Sequence, residues 1–493
     1  MACPNVIWEI EWRVVFDNVT KSELNSPRFE AFWIRQSLYI SNFPERTCIP
    51  HLWTCPCYIR LDHTSNLNSF REMAMRDTAM VDMARTQAFI LAGGRGERLQ
   101  PLTVSRPKPA VAFGGGFRII DFTLSNCFHS GISRVALLTQ CGHEEINRYV
   151  SQGWNALWND GPSDREPLRI LPPAKGKTYR GTADAVFQNR SLLEDQNTDH
   201  VFVLSADHVY QMDYHGLLRQ HVKTGADLTI ATVEYPVRDA SRFGVVAIDE
   251  NFRVVGFEEK PANPCPLPAR PSTALVSMGV YIFRKSALLD TLEKYCGSGL
   301  GYDFGHQIIP YLIRSGRTFA YNFHDEVQDS PRYWRDIGTL DGYYETSMDL
   351  LRSDSPFDPY ANDGWPGQPT RHPTLPNNIG ISTSPRMGRN CDVSGSVLSA
   401  GVHVEENSSV LDSILLPGVR IGRGVRLKRA VVEEGVHIPA GFEAGFDIEH
   451  DRMAHTVTSR GVVIVSRASL AQQTLQHWST VPTEAPHALA AVR

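Results

Sequence analysis

The sequence lacks a long apolar run, and it lacks an excess of positive charge. No stretch of about 18 uncharged apolar residues occurs, and no basic segment followed by an apolar run opens the chain. We therefore expect neither a membrane span nor a secretory signal, and we expect a cytoplasmic protein. Lysine and arginine total 49 against 54 aspartates and glutamates, a net charge of −5. A nucleic-acid partner is thus not expected, and any phosphate site must be local.

Cysteine is also scarce, because only nine are scattered between Cys3 and Cys391 in a chain of 493 residues. An odd number without regular spacing argues against a disulfide framework and predicts free thiols. Four candidate zinc ligands lie near the N-terminus: His51, Cys55, Cys57 and His63. Their Cys-x-Cys spacing lacks the second pair of a structural zinc site, so we favour accidental residues over a metal site.

Residues 1–84 show neither a helical nor a strand period. The pattern predicts an extension that is disordered or is translated from an early start.

From residue 85 the pattern changes, because the apolar run 88–92 leads directly into a glycine loop. Further runs typical of strands occur at 134–139, 201–206, 227–233, 254–257 and 279–283. Their alternation with segments of helical length predicts an α/β domain over 85–352, with a doubly wound, mainly parallel sheet that binds ligands at the carboxyl ends of its strands.

The composition then shifts to Pro, Asp, Asn and Gly over a predicted linker, 353–378. Beyond it an apolar series recurs in steps of five or six, with Ser408 filling one position: Val402, Ile414, Val419, Val425, Val431, Val436 and Phe442. Three such steps close one coil of a left-handed parallel β-helix, which we predict over 379–470 with a further strand at 461–465. A β-sandwich with accidental spacing is the alternative. Residues 471–493 are predicted to form a disordered tail.

Glycines follow the first predicted strand at three positions: Gly93, Gly94 and Gly96. They would let backbone N–H groups approach a triphosphate, while Arg95 and Arg98 would add fixed positive charge. A Walker loop and a dinucleotide fingerprint both fit poorly, since the Gly-Lys-Ser/Thr ending is missing and a leucine replaces the third glycine. Lys108, between two prolines, supplies a compact cation. The loop is therefore predicted to bind a polyphosphate.

Polar residues also follow two other predicted strands. Asp207 comes directly after the run 201–206, where a parallel sheet presents ligands. A carboxylate there is predicted to hold Mg²⁺ together with phosphate oxygens, and its alternative role is to cap a helix. Gln140 ends the run 134–139 and could pair its amide with the adenine edge, because glutamine offers both a donor and an acceptor.

Several segments resemble known enzyme families. Residues 93–99 and 106–109, Gly-Gly-Arg-Gly-Glu-Arg-Leu and Arg-Pro-Lys-Pro, resemble the signature of the sugar-phosphate nucleotidyltransferases. Four further segments resemble, more narrowly, the bacterial glucose-1-phosphate adenylyltransferases of glycogen synthesis: 113–126, 179–186, 277–279 and 333–338. The resemblance implies that an adenylyl group passes from ATP to glucose 1-phosphate, giving ADP-glucose and pyrophosphate. It also implies the use of Mg²⁺ and assembly as a homotetramer.

The resemblance further implies roles for individual residues. Arg98, Lys108 and Asp207 would form the catalytic group, and Asp336 would be the second carboxylate of the metal site. No covalent nucleophile is needed, because attack of a phosphate oxygen on the α-phosphorus of ATP depends on positioning and on cations. Lys260 would grip the phosphate of glucose 1-phosphate. The other residues implied for glucose 1-phosphate are Tyr179, Gly244, Glu259 and Ser277.

Two positions depart from the family pattern. Ala206 stands where members usually carry glycine before the metal aspartate. Ser105 stands where members that respond to glycolytic intermediates often carry lysine, so control of that type by fructose 1,6-bisphosphate is not expected. Arg106 would remain available for a small anionic allosteric effector. Four β-helix arginines could help to form such a site or could simply face solvent: Arg420, Arg423, Arg426 and Arg429.

Three alternative functions remain. A nucleotidyltransferase that uses UTP, dTTP or GTP with another sugar phosphate would share the glycine loop and the metal carboxylate. A non-catalytic regulatory subunit would use the β-helix as a scaffold for assembly. The combined presence of five candidate site residues argues against it: Arg98, Lys108, Asp207, Lys260 and Asp336. An acyltransferase built on the β-helix would have only His403 and His437 as candidate catalytic histidines.

Overall fold

The computed structural model describes residues 83–140, 142–159, 168–194, 197–355, 357–359 and 385–472. Other predictions lie outside these residues: the N-terminal extension up to 82, the zinc hypothesis, most of the linker and the tail from 473. The described residues all belong to one compact unit, Glu72–Arg493. Among them, no helix is long and apolar enough to cross a membrane. Four described cysteines are free thiols: Cys127, Cys265, Cys296 and Cys391.

The first part of the described chain, up to residue 355, alternates strands with helices. Its strands are β1 (Thr86–Ala92), β2 (Ala112–Phe113), β3 (Phe117–Arg118), β4 (Arg134–Thr139), β5 (Arg169–Leu171), β6 (His200–Ser205), β7 (His208–Tyr210), β8 (Leu228–Pro236), β9 (Gly244–Ile248), β10 (Val254–Glu259), β11 (Thr273–Arg284), β12 (Thr318–Asn322), β13 (His324–Asp325), β14 (Ser330–Pro331) and β15 (Trp334–Asp336). Its α-helices are α1 (Ile120–His129), α2 (His143–Gln152), α3 (Trp154–Asn159), α4 (Thr182–Gln188), α5 (Tyr214–Thr224), α6 (Lys285–Leu292), α7 (Ile309–Ser315) and α8 (Leu340–Asp349). Shorter helical turns occur at Glu97–Leu99, Lys108–Ala110, Arg190–Leu193, Val237–Arg242, Glu293–Gly297 and Phe304–Ile308.

Nine of these strands form one mixed sheet. Its order is β10-β9-β11-β6-β1-β4-β5, and β8 pairs with both β11 and β12. The central strand β1 runs parallel to β4 and β6, whereas β11 runs antiparallel to β6, β8 and β9. The carboxyl ends of β1, β4 and β6 therefore meet at one edge of the sheet, where an α/β fold binds its ligands.

Helices cover both faces of this sheet. Ile90 and Leu204 pack with apolar residues of α1, α2 and α5 in one cluster, while Phe89 and Val203 pack with α4, α6 and α7 in another. Successive side chains of a strand point to opposite faces, so a strand buried on both sides must be apolar throughout. That requirement explains the uninterrupted run 88–92. The doubly wound α/β arrangement predicted from the sequence is confirmed.

The observed strands differ from the predicted runs mainly in length. β4 has the predicted bounds, but β11 is much longer than the predicted run 279–283. Its pairing with β8 shifts register between Ser277 and Tyr281, and Gly279 within this bulge has a φ of 66°. A polar residue and a glycine interrupt the apolar pattern there, so the sequence revealed only the second half of the strand.

The last part of the described chain is built from short strands. They are β16 (Arg386–Met387), β17 (Asp392–Ser394), β18 (Val397–Leu398), β19 (His403–Val404), β20 (Ser409–Leu411), β21 (Ile414–Leu415), β22 (Arg420–Ile421), β23 (Arg426–Lys428), β24 (Ala430–Val432), β25 (His437–Ile438), β26 (Glu443–Ala444), β27 (Thr456–Val457) and β28 (Val463–Val465), with helix α9 (Ile448–Ala454) before β27. They form three sheets, β16-β19-β22-β25, β17-β20-β23-β26 and β18-β21-β24-β28-β27, parallel except for β27. This is a parallel β-helix, so the alternative of a β-sandwich is wrong.

One coil of the β-helix contains 17 residues. His403 pairs with Arg420 in the next coil, and the hydroxyl of Ser396 accepts from the backbone N–H of Ser413, 17 residues later. Two steps of six and one of five complete this coil, as the apolar series predicted. Ser408, the polar member of the series, is buried, and its hydroxyl donates to a carbonyl in the next coil at 2.9 Å.

The two parts of the described chain share a hydrophobic cluster. Leu340 and Tyr343 of α8 pack with Ile414 of the β-helix in this cluster. The hydroxyl of Tyr344 donates to the carbonyl of Asp412 at 2.6 Å. Helix α8 begins four residues after Asp336, so the β-helix buttresses the segment that leads away from a predicted site residue.

Candidate active site

The glycine loop lies at the carboxyl end of β1. Gly96 has a φ of 67°, and a Cβ added there would stand 2.8 Å from the Cβ of Lys108. The carbonyl of Gly96 accepts from Thr103 Oγ1 at 2.8 Å, which holds the loop against the following segment. A Cβ at Gly93 would stand 3.4 Å from the Cβ of Gln140, whereas one at Gly94 would meet no described atom within 4 Å. The loop backbone is therefore open on one side.

A cavity of about 360 Å³ opens beside this loop. Besides the loop, its lining includes Arg95, Arg98, Lys108, Asp207 and Gly338. Arg95 is largely exposed, while Arg98 NH2 lies 3.4 Å from the position of a Cβ at Gly338. Backbone N–H groups, cations and a carboxylate thus surround one space, and this combination suits a nucleoside triphosphate.

Two predicted metal carboxylates converge on Lys108. Asp207 follows β6, and the next residue, His208, begins β7. Because β7 pairs antiparallel with β15, Asp336 lies opposite His208 and therefore close to Asp207. Lys108 Nζ lies 2.8 Å from Asp207 Oδ2 and 3.3 Å from Asp336 Oδ1. The Lys108 side chain is only 9% exposed. The ammonium is therefore held at one point that both carboxylates face.

The electrostatics of this cluster keep Lys108 and Asp207 charged. Burial alone would raise the pKa of the Asp207 carboxyl, but the charges of Lys108 and His208 hold that pKa well below its usual range. Burial alone would lower the pKa of Lys108, yet the attraction of Asp207 and Asp336 raises it above its usual value. Two carboxylates against one ammonium leave a net negative charge, which favours a further cation.

The cluster fits a divalent cation. Ligand atoms of Asp207, His208 and Asp336 all lie within 4.8 Å of one another. Two carboxylates already directed at one shared cation are the protein ligands that Mg²⁺ prefers beside phosphate oxygens. His208 was not predicted from the sequence. Its buried Nδ1 has no hydrogen-bond partner among the described residues, and only the strand pairing with β15 reveals that it adjoins both carboxylates.

A second group of predicted residues lies around the ends of β9 and β10. Glu259 pairs with Gly244 across these antiparallel strands. A Cβ at Gly244 would stand 3.1 Å from Glu259 Oε2, and a Cβ at Gly305 would stand 3.0 Å from the same oxygen. Lys260 has a φ of 51°, and its ammonium donates to Glu259 Oε1 while the side chain is 58% exposed. The carboxylate is thus enclosed and the ammonium remains reachable.

The bulge in β11 connects this second group with the carboxylate cluster. Ser277 Oγ lies 3.0 Å from the hydroxyl of Tyr281 and accepts from the N–H of Gly279 at 3.3 Å. A Cβ at Gly279 would stand 2.7 Å from Ser205 Oγ and 3.0 Å from His208 Cε1. The bulge therefore abuts the end of β6 and reaches from Ser277 to His208, beside the two carboxylates. Sequence reasoning missed Tyr281, because a tyrosine within an apolar strand is indistinguishable from a core residue.

Gln140 and Tyr179 contact each other. The N–H of Tyr179 donates to Gln140 Oε1 at 2.7 Å. The hydroxyl of Tyr179 donates to the carbonyl of Leu171 at 3.0 Å and accepts from Asn189 Nδ2 at 2.9 Å. The N–H and the hydroxyl of Tyr179 are thus engaged within the protein, whereas the amide N–H groups of Gln140 have no hydrogen-bond partner among the residues that the structure describes. The roles of these residues in nucleotide and sugar binding stay predictions.

Four of the five arginines considered for an effector site are engaged in side-chain contacts, and the fifth, Arg420, is exposed. Arg106 pairs with Glu145 and Glu434, so an anion could reach it only by displacing a carboxylate. Arg423 and Arg426 form exposed ion pairs at 2.8 Å with carboxylates of neighbouring coils. Arg429 lies 5.3 Å from the ring of Tyr344. These contacts do not converge on a shared site among the described residues.

A mixed sheet whose central parallel strand leads into a glycine loop, beside a buried lysine and two carboxylates, defines an α/β nucleotide-binding protein. The nucleotidyl transferase family matches residues 87–353, and a GlmU-like, C-terminal hexapeptide family matches residues 385–465. The first match covers more than half of the sequence and includes both groups of site residues. The chain therefore belongs to the nucleotidyl transferase family.

Relatives that match over nearly their whole length carry a name more specific than that of the family. The glucose-1-phosphate adenylyltransferase of Methylobacillus flagellatus is 42% identical over 404 residues, which cover 78% of this chain and 94% of the relative. That of Nitrosomonas europaea is 40% identical over 409 residues, covering 78% and 94%. That of Methylococcus capsulatus is 40% identical over 403 residues, covering 79% and 95%. The similarity thus extends through both parts of the described chain.

Proposed function

We propose that this protein transfers the adenylyl group of ATP to α-D-glucose 1-phosphate, giving ADP-glucose and pyrophosphate for glycogen synthesis. The observation that carries the proposal is Lys108, held between Asp207 and Asp336 beside the glycine loop. The names of relatives at 40 to 42% identity over more than nine tenths of their length support this choice of substrates. Assembly as a homotetramer belongs to the same proposal.

The reaction needs charge to be neutralised where it develops. A phosphate oxygen of glucose 1-phosphate attacks the α-phosphorus of ATP, and the bond from that phosphorus to the β-phosphate oxygen breaks, so pyrophosphate leaves. The loop backbone and Arg95 would hold the β- and γ-phosphates, and Arg98 and Lys108 would stabilise the charge on the transferring and leaving groups. A covalent intermediate on the protein is not required, because positioning supplies most of the acceleration.

Asp207 and Asp336 would hold Mg²⁺, and His208 lies beside them. Mg²⁺ bound there would supply a Lewis acid that neutralises the negative charge of the phosphate oxygens. The protein contributes the geometry, since the β7–β15 pairing puts Asp336 opposite His208, the residue that follows Asp207. Lys108 then adds a second positive charge that does not depend on metal occupancy.

The second group of residues would bind glucose 1-phosphate. The exposed ammonium of Lys260 is suited to the sugar phosphate, while the enclosed carboxylate of Glu259 can accept hydrogen bonds from sugar hydroxyls. Ser277 would likewise accept a hydrogen bond from a sugar hydroxyl, Tyr179 would pack against the sugar phosphate, and Gly244 leaves room for its approach. Gln140, next to the glycine loop, would pair with the adenine edge through its amide N–H groups.

The proposal can be tested by measuring pyrophosphate release with Mg²⁺ and glucose 1-phosphate in the presence of ATP, UTP, dTTP, CTP or GTP. We expect a strong preference for ATP and a decrease of about 10²–10³-fold in Asp207→Asn, because one carboxylate of the metal site is lost. Asp213→Asn is the matched control, since Asp213 caps α5 and an asparagine can keep that hydrogen bond. Preference for another nucleotide would retain the mechanism but contradict the proposed substrates, and full activity in Asp207→Asn would contradict the metal site.

A further inference from the structure

Two arginines of the catalytic part are bound by one carboxylate of the β-helix. Glu434 Oε2 accepts from Arg106 NH1, and Glu434 Oε1 lies 3.5 Å from Arg118 NH2. Glu145 of α2 lies 3.7 Å from Arg106 Nε and 3.9 Å from Arg118 NH1. We call these four residues the arginine clamp. Its two positive and two negative charges balance, so the clamp is neutral as a unit.

The clamp is largely shielded from water. Its side chains are between 15% and 28% exposed, so solvent screens these pairs less than it screens surface ion pairs. Two further contacts hold Arg118 in place. Its guanidinium lies 5.0 Å from the ring centroid of Tyr149, and its backbone N–H donates to the buried carboxylate of Asp121 at 2.7 Å. Removing one charge would leave the opposite charges without a partner in a poorly solvated place.

The clamp brackets the turn that carries Lys108. Arg106 precedes this lysine by two residues, and Pro107 between them restricts the backbone. Arg118 NH1 donates to the carbonyl of Ala110, the last residue of the Lys108–Ala110 turn. Glu434 binds both guanidinium groups, so one β-helix residue holds both ends of the turn. The Lys108 ammonium projects from this turn to the two metal carboxylates.

We propose that Glu434 is a positioning residue for adenylyl transfer, and that it acts through Arg106 and Arg118 to fix Lys108 between Asp207 and Asp336. The inference rests on the proposed function, because Lys108 matters only if it stabilises a transferring phosphate. A displacement of about 1 Å in a catalytic group can lower a rate by about 10²-fold, so a loosened turn has a measurable effect. The β-helix thereby takes part in catalysis without contacting substrate.

The first test compares Glu434→Gln with Glu433→Gln. Glu433 is the adjacent residue with similar exposure, and its carboxylate accepts from the N–H of Arg467 within the β-helix. We expect Glu434→Gln to lower kcat about tenfold while the KM values for ATP and glucose 1-phosphate change by less than about twofold, because ground-state binding does not need the exact position of Lys108. Glu433→Gln should keep wild-type kcat.

The second test follows Lys108 directly, without turnover. In the wild type its ammonium is almost fully buried, so it should react slowly with an amine-directed reagent such as acetic anhydride, as measured by peptide mass spectrometry. Glu434→Gln should accelerate modification of Lys108 severalfold, relative to exposed Lys223 as an internal reference. Glu433→Gln should leave this ratio unchanged. If Glu434→Gln fails to fold, Glu434→Asp keeps the charge, and the same two measurements should give intermediate values.

The outcomes separate this inference from the proposed function. If the wild type lacks adenylyl transfer but Lys108 becomes more reactive in Glu434→Gln, the proposed function fails and the clamp's hold on Lys108 is supported. Unchanged reactivity of Lys108 in Glu434→Gln, or an equal loss of kcat in Glu433→Gln, would overturn the positioning role. A double variant with Arg106→Gln should be no slower than the slower single variant, and multiplied losses would likewise overturn it.

Discussion

Two buried titratable side chains of this structure, Lys108 and His221, differ in whether they keep their charge. Lys108 keeps its charge, because two carboxylates replace the water that it loses. His221 loses its charge instead. Burial, together with the neighbouring His200 and Arg284, lowers the pKa of His221 to about 3, so the imidazole is neutral near pH 7. The first residue lies in the candidate active site, and the second packs against the ring of His200.

The neutral state of His221 predicts a dependence of stability on pH. As the pH falls below 6.5, the usual pKa of histidine, this imidazole gains a proton in the unfolded state. In the folded state it gains one only near pH 3. Between pH 7 and pH 5 this group should therefore lower the free energy of unfolding by about 2 kcal/mol. Urea unfolding of the wild type and of His221→Gln at both pH values would show it. His437→Gln, on an exposed coil position, should behave like the wild type, and an equal loss in His221→Gln would contradict the prediction.

At the scale of elements, the β11 bulge brings the backbone of Gly279 so close to Ser205 and His208 that only glycine fits there. Gly279→Ala would add a Cβ at a φ of 66° and within 3.0 Å of both Ser205 and His208. We expect kcat to fall at least about tenfold, because His208 and the proposed metal carboxylates beside it must shift. Gly131→Ala is the matched control: its φ is 72°, but a Cβ would meet no described atom within 4 Å.

The two glycine variants separate backbone strain from displacement of the site. Both should lose about 1 kcal/mol of stability from the left-handed backbone, as thermal unfolding would measure. Only Gly279→Ala should lose activity in the pyrophosphate assay. Wild-type kcat in Gly279→Ala would mean that the bulge does not support the carboxylate cluster.

The β-helix offers a comparison between two buried serines. Ser413 Oγ donates to the carbonyl of Leu411 at 2.7 Å and accepts from the N–H of Ala430 at 3.1 Å. Ser399 Oγ is equally buried but has no hydrogen-bond partner among the described residues. Ser413→Ala should therefore lower the free energy of unfolding by about 1–3 kcal/mol, whereas Ser399→Ala should be neutral or stabilising. Urea unfolding of both variants checks this, and equal losses would contradict it.

At the scale of the whole molecule, local patterns could be predicted and distant contacts could not. A short stretch of sequence is enough to show the run 88–92 and the 17-residue coil, because the faces that are buried dictate the spacing of apolar residues. The glycine loop is visible in the same way from its composition. The pairing that puts Asp336 opposite His208 joins strands far apart in the chain, so only the family resemblance pointed to Asp336. Arg106 and Glu434 are 328 residues apart, and spacing carries no information about such a contact.

The shared cluster between α8 and the β-helix predicts that the two parts unfold together. ATP at about 100 times its Kd should stabilise the folded protein by ~2.7 kcal/mol, even though its proposed site lies beside the glycine loop. If unfolding is cooperative, the slowest-exchanging amides of β20 and β23 should then exchange about 100-fold more slowly, since they open only when the whole unit unfolds. Hydrogen exchange with mass spectrometry measures this, and Leu340→Ala, which thins the shared cluster, should weaken the effect. Protection of β1 and β4 by ATP without protection of the β-helix would show that the two parts unfold independently.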